Sequence, residues 1–126
     1  MKKIINTKNA PAPIGPYSQA VRAGNMLFIS GQIALDAETG ELITSNIIEE
    51  TTKVMENIKA ILAEAGGDFQ SVVKCGIFLK NMDDFPVVND VYGSYFTSEP
   101  PARETVQVSK LPKDVNVEIS VIAVLV

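Results

Sequence analysis

The most constraining feature of the chain is its C-terminal end. Val117, Ile119, Val121, Ala123 and Leu125 alternate with Glu118 and Ser120, the period-two signature of a strand with one buried face. From Val121 onward the alternation fails, because Ile122, Val124 and Val126 make the second face apolar as well. A strand apolar on both faces needs cover on both. The rest of the chain therefore has to supply two covering layers, fold the sheet back on itself, or borrow a layer from another subunit.

The upstream pattern offers one layer. Asn46 is a suitable N-cap, and Glu49 three residues on completes a capping box. Ile47, Thr51, Val54, Met55, Ile58, Ile61, Leu62 and Ala65 then recur in steps of three and four, which predicts a helix stopped by Gly66-Gly67. A second helix is expected from an Asp83 cap, with Pro86 in its first turn, an apolar face of Phe85, Val88, Tyr92, Tyr95 and Phe96, and an end at Pro100-Pro101. Strands are expected at Met26–Ile33, where Gly31 signals a bulge or close approach, and at Val72–Leu79. Asp36–Glu41 reads as a turn. Asn9–Tyr17, with three prolines and a glycine, reads as an extended surface arm. The C-terminal third reads as a hairpin, 103–109 turning through Leu111–Asp114 into the last strand. The order is α+β: two helices on one face of a largely antiparallel or mixed sheet. Two helices cover one face, so the apolar second face of the last strand calls for another subunit.

Length and composition bound the function. At 126 residues, with 46% hydrophobic and 21% charged residues, the expectation is one globular domain spanning 1–126. The net charge of −4 and the lack of a basic run argue against a nucleic-acid partner. There is no histidine and a single cysteine, Cys75. A Ser-His-Asp triad, a Cys-His dyad and a Cys/His zinc site are thereby excluded, as is an internal disulfide. No metal and no cofactor is expected; Walker and dinucleotide-binding patterns are absent. No apolar run reaches membrane-span length and no signal-peptide core follows Met1, so the expected location is cytoplasmic.

Few polar groups remain to carry chemistry. Arg103 follows Pro100-Pro101-Ala102 and shares a strand face with Thr105. It reads as a bidentate carboxylate ligand or as a surface or interface salt bridge. Glu118 interrupts an apolar strand, where a carboxylate is costly unless solvated or paired. It could hold or activate a water, face solvent at an edge position, or pair with a lysine. Tyr17 could offer a hydroxyl to a pocket or simply pack. Ser30-Gly31-Gln32 could offer an amide and a hydroxyl. Cys75, on an inferred buried strand, reads as a small hydrophobe.

Five segments together resemble one family: Ile14-Gly15-Pro16-Tyr17-Ser18-Gln19-Ala20, Ile29-Ser30-Gly31-Gln32-Ile33, Pro101-Ala102-Arg103, Leu111-Pro112-Lys113-Asp114 and Val117-Glu118-Ile119. In this order they are similar to the RidA (YjgF-type) proteins, the enamine/imine deaminases, from about Asn9 to Ala123. The resemblance implies a chorismate-mutase-like fold and a homotrimer whose sheets form a central barrel, with ligand clefts between subunits. It implies hydrolysis of 2-imino acids such as 2-iminobutyrate or 2-iminopropionate to 2-keto acids and ammonia, protecting enzymes that use pyridoxal phosphate. Carried over, Arg103 and the Thr105 amide would hold the substrate carboxylate. Tyr17, Ser30, Gly31 and Asn89 would line the cleft, and Glu118 would position water. Thr105 stands where cysteine is frequent in the family, Glu104 where a small residue is commoner, and Ser120 where many relatives have a second glutamate. The competing readings are a trimer that binds a keto acid without turnover, a chaperone-like or translation-inhibitor interaction protein, and a chorismate mutase suggested by fold analogy alone.

Overall fold

A computed structural model describes Met1–Val126. Six strands form one mixed sheet in the order β1-β2-β3-β6-β4-β5. They are β1 (Lys2–Ile5), β2 (Ala20–Ala23), β3 (Met26–Gln32), β4 (Val72–Leu79), β5 (Ala102–Gln107) and β6 (Val117–Val124), with helices α1 (Ile47–Glu64) and α2 (Phe85–Gly93). Only β4 and β5 run parallel. The α+β expectation, with two helices and a mixed sheet, holds.

The core lies between one sheet face and the helices. Leu27 and Ile29 of β3, Cys75, Ile77 and Leu79 of β4, and Val117, Ile119, Val121 and Ala123 of β6 meet Val54, Met55, Ile58, Ile61 and Leu62 of α1. The helical periodicity thus faces the strand alternation, and each pattern buries the other. Asn46 caps α1 by accepting the Glu49 amide at 2.9 Å. The capping box is only half made, because the Glu49 carboxylate takes the Ser45 hydroxyl instead. At the other end Gly66, at φ 84°, turns the chain left-handed. The Gly67 amide returns to the Leu62 carbonyl at 2.8 Å, closing a Schellman motif.

Three expectations are corrected. The C-terminal hairpin does not form: β5 pairs parallel with β4 on the sheet edge, while β6 inserts between β3 and β4. A parallel pair needs a crossover, which α2 provides. The polar, exposed residues of β5 suit an edge and the apolar ones of β6 suit the centre. Asp83 does not cap α2; Asn81 caps a short 3-10 turn at Met82–Asp84 by accepting the Asp83 amide, and α2 starts at Phe85 with Pro86 in its first turn. The helix ends at Gly93, well before Pro100-Pro101, so Tyr95 and Phe96 pack from beyond it. Two strands, β1 and β2, lie outside the ranges expected from the sequence; of the four residues of β1 only Ile5 is buried.

The second sheet face is open and largely apolar. Strand register aligns Ile4, Val21, Phe28 and Ile122 in one row across four strands. Phe28 is 44% exposed and Ile4 50%. No helix of the chain is long and apolar enough to cross a membrane.

Candidate functional site

Two groups of the expected site residues assemble, and they lie on opposite faces of the sheet. The first forms around the bulge in β3. Pairing with β6 breaks register between Ile29 and Gln32, and Ser30 and Gly31 occupy that irregularity. The Ser30 hydroxyl donates to the Ser18 carbonyl at 2.6 Å and its amide to the Gln19 carbonyl at 2.9 Å. These bonds tie the bulge to the end of the proline-rich arm. Buried Gln19 accepts the Thr7 amide at 2.8 Å and donates to the Pro11 carbonyl at 2.9 Å, holding the arm against the sheet. The arm in turn delivers Ile14 and Tyr17. With Ser30, Gly31, Ile33, Pro112 and Glu118 they line a cleft of about 360 Å³.

Glu118 is the acid of this cleft. It projects from β6 onto the open face, with its side chain across Gly31: a Cβ built on Gly31 would lie 2.8 Å from Glu118 Cδ and Oε2. Only glycine leaves room for that approach. None of the three ion pairs in the chain involves Glu118, which removes its lysine-paired alternative within the chain. Burial alone raises its pKa above the ordinary 4.5. An unpaired carboxyl with a raised pKa in a cleft is suited to proton exchange.

The second group is built on α2 and β5. Arg103 Nη1 donates to Asn89 Oδ1 at 2.7 Å. Its guanidinium carbon lies 5.3 Å from the Phe85 ring centre and 5.1 Å from that of Tyr92. Stacking and the amide fix the plane of the fork while leaving the side chain exposed. Thr105 follows two residues on, its hydroxyl oxygen buried without a partner. The Val108 amide points inward to Leu79 O at 2.9 Å. Strand alternation then turns the amides of Thr105 and Arg103 outward, to the unpaired edge.

Register settles the relation of the groups. Arg103 and Thr105 stand opposite Cys75 and Ile77, which are buried beneath the helices. Glu118 stands opposite Phe78, and Phe78 opposite Val106. Directly paired residues share a face and successive residues alternate. Arg103, Thr105 and Asn89 are therefore on the helix side, and Glu118, Ser30, Gly31 and Tyr17 on the other. Asn89 lies with Arg103 and outside the cleft of Tyr17 and Ser30. Sequence reasoning did not single out Ile14, Ile33 or Pro112 as cleft walls, nor Phe85 and Tyr92 as supports for Arg103; their only signal was apolar character beside the motifs. Cys75 is buried, and burial pushes its thiol pKa up, in keeping with a packing role. No cluster of metal-ligating side chains exists.

Known proteins share this whole architecture. The family model described as Endoribonuclease L-PSP matches residues 7–125. A RutC family protein of Pyrococcus horikoshii is 54% identical over 123 residues, covering 98% of each chain. A 2-iminobutanoate/2-iminopropanoate deaminase of Dermatophagoides farinae is 47% identical, covering 98% of this chain and 97% of its own. The crystal structure of E. coli TdcF with bound serine superposes with a TM-score of 0.94 at 41% identity, covering 98% of this chain and 99% of that one.

Proposed function

The chain belongs to the Endoribonuclease L-PSP family, that of the RidA (YjgF-type) proteins, and from that footing we propose that it hydrolyses 2-imino acids to 2-keto acids and ammonia at a site shared between neighbouring copies. The observation that carries the proposal is the unpaired Glu118 carboxyl held across Gly31 in a cleft with Tyr17 and Ser30. Relatives named as 2-iminobutanoate/2-iminopropanoate deaminases, at 45–47% identity, support the reaction class. The serine bound in TdcF supports a small carboxylate ligand.

The chemistry needs little. Arg103, with its plane fixed, would grip the substrate carboxylate with two hydrogen bonds, and the Thr105 amide would add a third. Water bonds to the imine carbon as the C=N electron pair moves to nitrogen. Glu118 takes a proton from that water and delivers it to the nitrogen. The resulting carbinolamine collapses: its hydroxyl proton passes to nitrogen, the C=O bond forms, and ammonia leaves. A carboxyl whose pKa burial raises is better able to give as well as take these protons.

Because the two groups lie on opposite faces, one chain cannot present both to one substrate. A neighbouring copy laid on the open face would join its Arg103 to this chain's Glu118, and a closed ring of three would repeat that contact. The apolar row of Ile4, Val21, Phe28 and Ile122 would be covered in the same step.

Two experiments test the proposal. 2-Iminobutanoate is generated in situ by a threonine dehydratase with semicarbazide as a competing trap, and keto acid and ammonia are followed. Faster release with this protein is expected; stoichiometric keto-acid binding without release would leave only a metabolite-binding trimer. Mixing Arg103→Ala and Glu118→Ala chains, each inactive alone, should restore about a quarter of wild-type activity. Roughly three quarters of random trimers contain both chains, and each of those has one intact site in three. No recovery on mixing refutes the shared site.

A further inference from the structure

Glu50 is the one carboxyl in the chain that is wholly buried, and the chemistry above makes no use of it. It lies in the first turn of α1, and none of the three ion pairs involves it. Three donors converge on it. Oε2 accepts the Asn116 amide at 2.8 Å and the Val117 amide at 3.3 Å, and Oε1 accepts Asn116 Nδ2 at 2.7 Å. All three come from the two residues immediately before Glu118. The Asn116 carbonyl accepts the Lys80 amide at 3.0 Å, so the same peptide is tied to the end of β4 from its other side.

The segment entering this anchor needs one. Pro112 lines the cleft, and after it Lys113 and Asp114 both adopt left-handed backbone, at φ 53° and 56°. Non-glycine residues persist in that region only when their surroundings over-determine it. Leu111 and Val115 are buried and set the depth of the loop. Apolar contact is non-directional, however, so it does not set the rotation of the peptide that starts β6. Hydrogen bonds are directional. An apolar side chain would fill the space of Glu50 without the cost of burying a carboxyl.

We propose that Glu50 is a positioning residue: it fixes the Asn116–Val117 peptide from the helix side of the sheet and thereby aims Glu118 into the cleft on the opposite side. The proposal rests on the reading of Glu118 as the proton-transfer group. Glu50 touches no substrate; it acts through two backbone amides on its neighbour in the fold.

The test compares wild type, Glu50→Met, Glu118→Gln and the double variant. Methionine approximates the size of Glu50 but offers no oxygen acceptor, so both backbone amides lose their partner, whereas glutamine could keep all three bonds by a flip of the Asn116 amide. Turnover should fall about tenfold or more, since a misplacement of well under 1 Å suffices, with keto-acid affinity unchanged. In the Glu118→Gln background the same change should have no further effect on turnover. The carboxyl 13C resonance of Glu118 should move in Glu50→Met, which is read without any activity. Unchanged turnover, a multiplicative loss in both backgrounds, or loss explained by a smaller folded fraction overturns the proposal. An unmoved Glu118 resonance overturns it as well. A wild type that hydrolyses no imine refutes the functional reading instead, and the resonance still decides whether Glu50 aims Glu118.

Discussion

Replacing Gly31 by alanine isolates the geometry of the cleft from its chemistry. The added Cβ would lie 2.8 Å from Glu118 Cδ and Oε2 and 3.1 Å from Cγ. Ordinary carbon contacts are about 3.5–4.0 Å, so roughly 1 Å must be found. Gly31 is not one of the glycines with positive φ, so alanine adds no left-handed backbone strain. Glu118 is a flexible, half-buried side chain and yields before the sheet does. The stability cost should then fall near the low end for overpacking, about 1 kcal/mol. The displacement of the carboxyl matters far more: an acid moved by about 1 Å loses on the order of 100-fold in turnover. Keto-acid affinity, which would depend on Arg103 on the far side of the sheet, should hold. The assay is the trapped-imine reaction, alongside keto-acid titration and thermal unfolding of the same sample. A Gly31→Ala protein that is folded and turns over within about threefold of wild type would refute the placement of Glu118 as the acting group.

Arg103→Lys should cost about 1.5–3 kcal/mol of carboxylate binding, because an ammonium can form neither the planar fork nor the stack on Phe85 and Tyr92. A KM for the imine raised at least tenfold in the trapped-imine assay is the readout. Glu118→Gln should lower turnover on the order of 100-fold or more, leaving a measurable residue, yet raise the melting temperature at pH 7. Burial raises the folded-state pKa above 4.5, so the group favours folding at pH below its unfolded pKa and loses that contribution as pH rises through its folded pKa. The gain in melting temperature should shrink toward pH 4, and the acid limb of the wild-type rate profile should lie above pH 4.5. Gly93→Ala, at a helical position with nothing within 4 Å of the new Cβ, should stabilise by about 0.5–1 kcal/mol, seen as a rise of a few degrees in thermal unfolding.

What could be read in advance divides along a physical line. The first helix was legible from Ile47 to Gly67 because periodicity, cap and stop all agree locally. The strand character of 103–109 and 117–124 was also legible, because alternation is local. Their partnership was not. Alternation says which residues share a face of one strand, and nothing in it says which strand lies alongside; the true neighbours are 38 or more residues away for β6 and across a helix for β5. The same gap concealed the division of the site. Arg103 and Glu118 each stood out as costly or directional residues, but that they face opposite ways follows only from the register through β4. Glu50 escaped notice because an acid in the first turn of a helix already has an ordinary explanation in the helix dipole.

The proposed arrangement would couple assembly to chemistry in one contact. Alone, the chain exposes Phe28 and Ile4 on its open face and leaves Glu118 half in water with no cation near it. A neighbour seated there would cover the apolar row, withdraw water from the cleft and bring a guanidinium toward the carboxyl. Each change bears on the reaction in its own way. Desolvation would raise the Glu118 pKa further, while an approaching Arg103 would lower it. A substrate carboxylate lying between them neutralises the guanidinium and restores the raised value. The acid would thus be best tuned when the imine is bound and less so when the cleft is empty. On that reading the face that the C-terminal strand leaves apolar would be as much a part of the site as Glu118, since the hydrophobic contact would deliver the second charge.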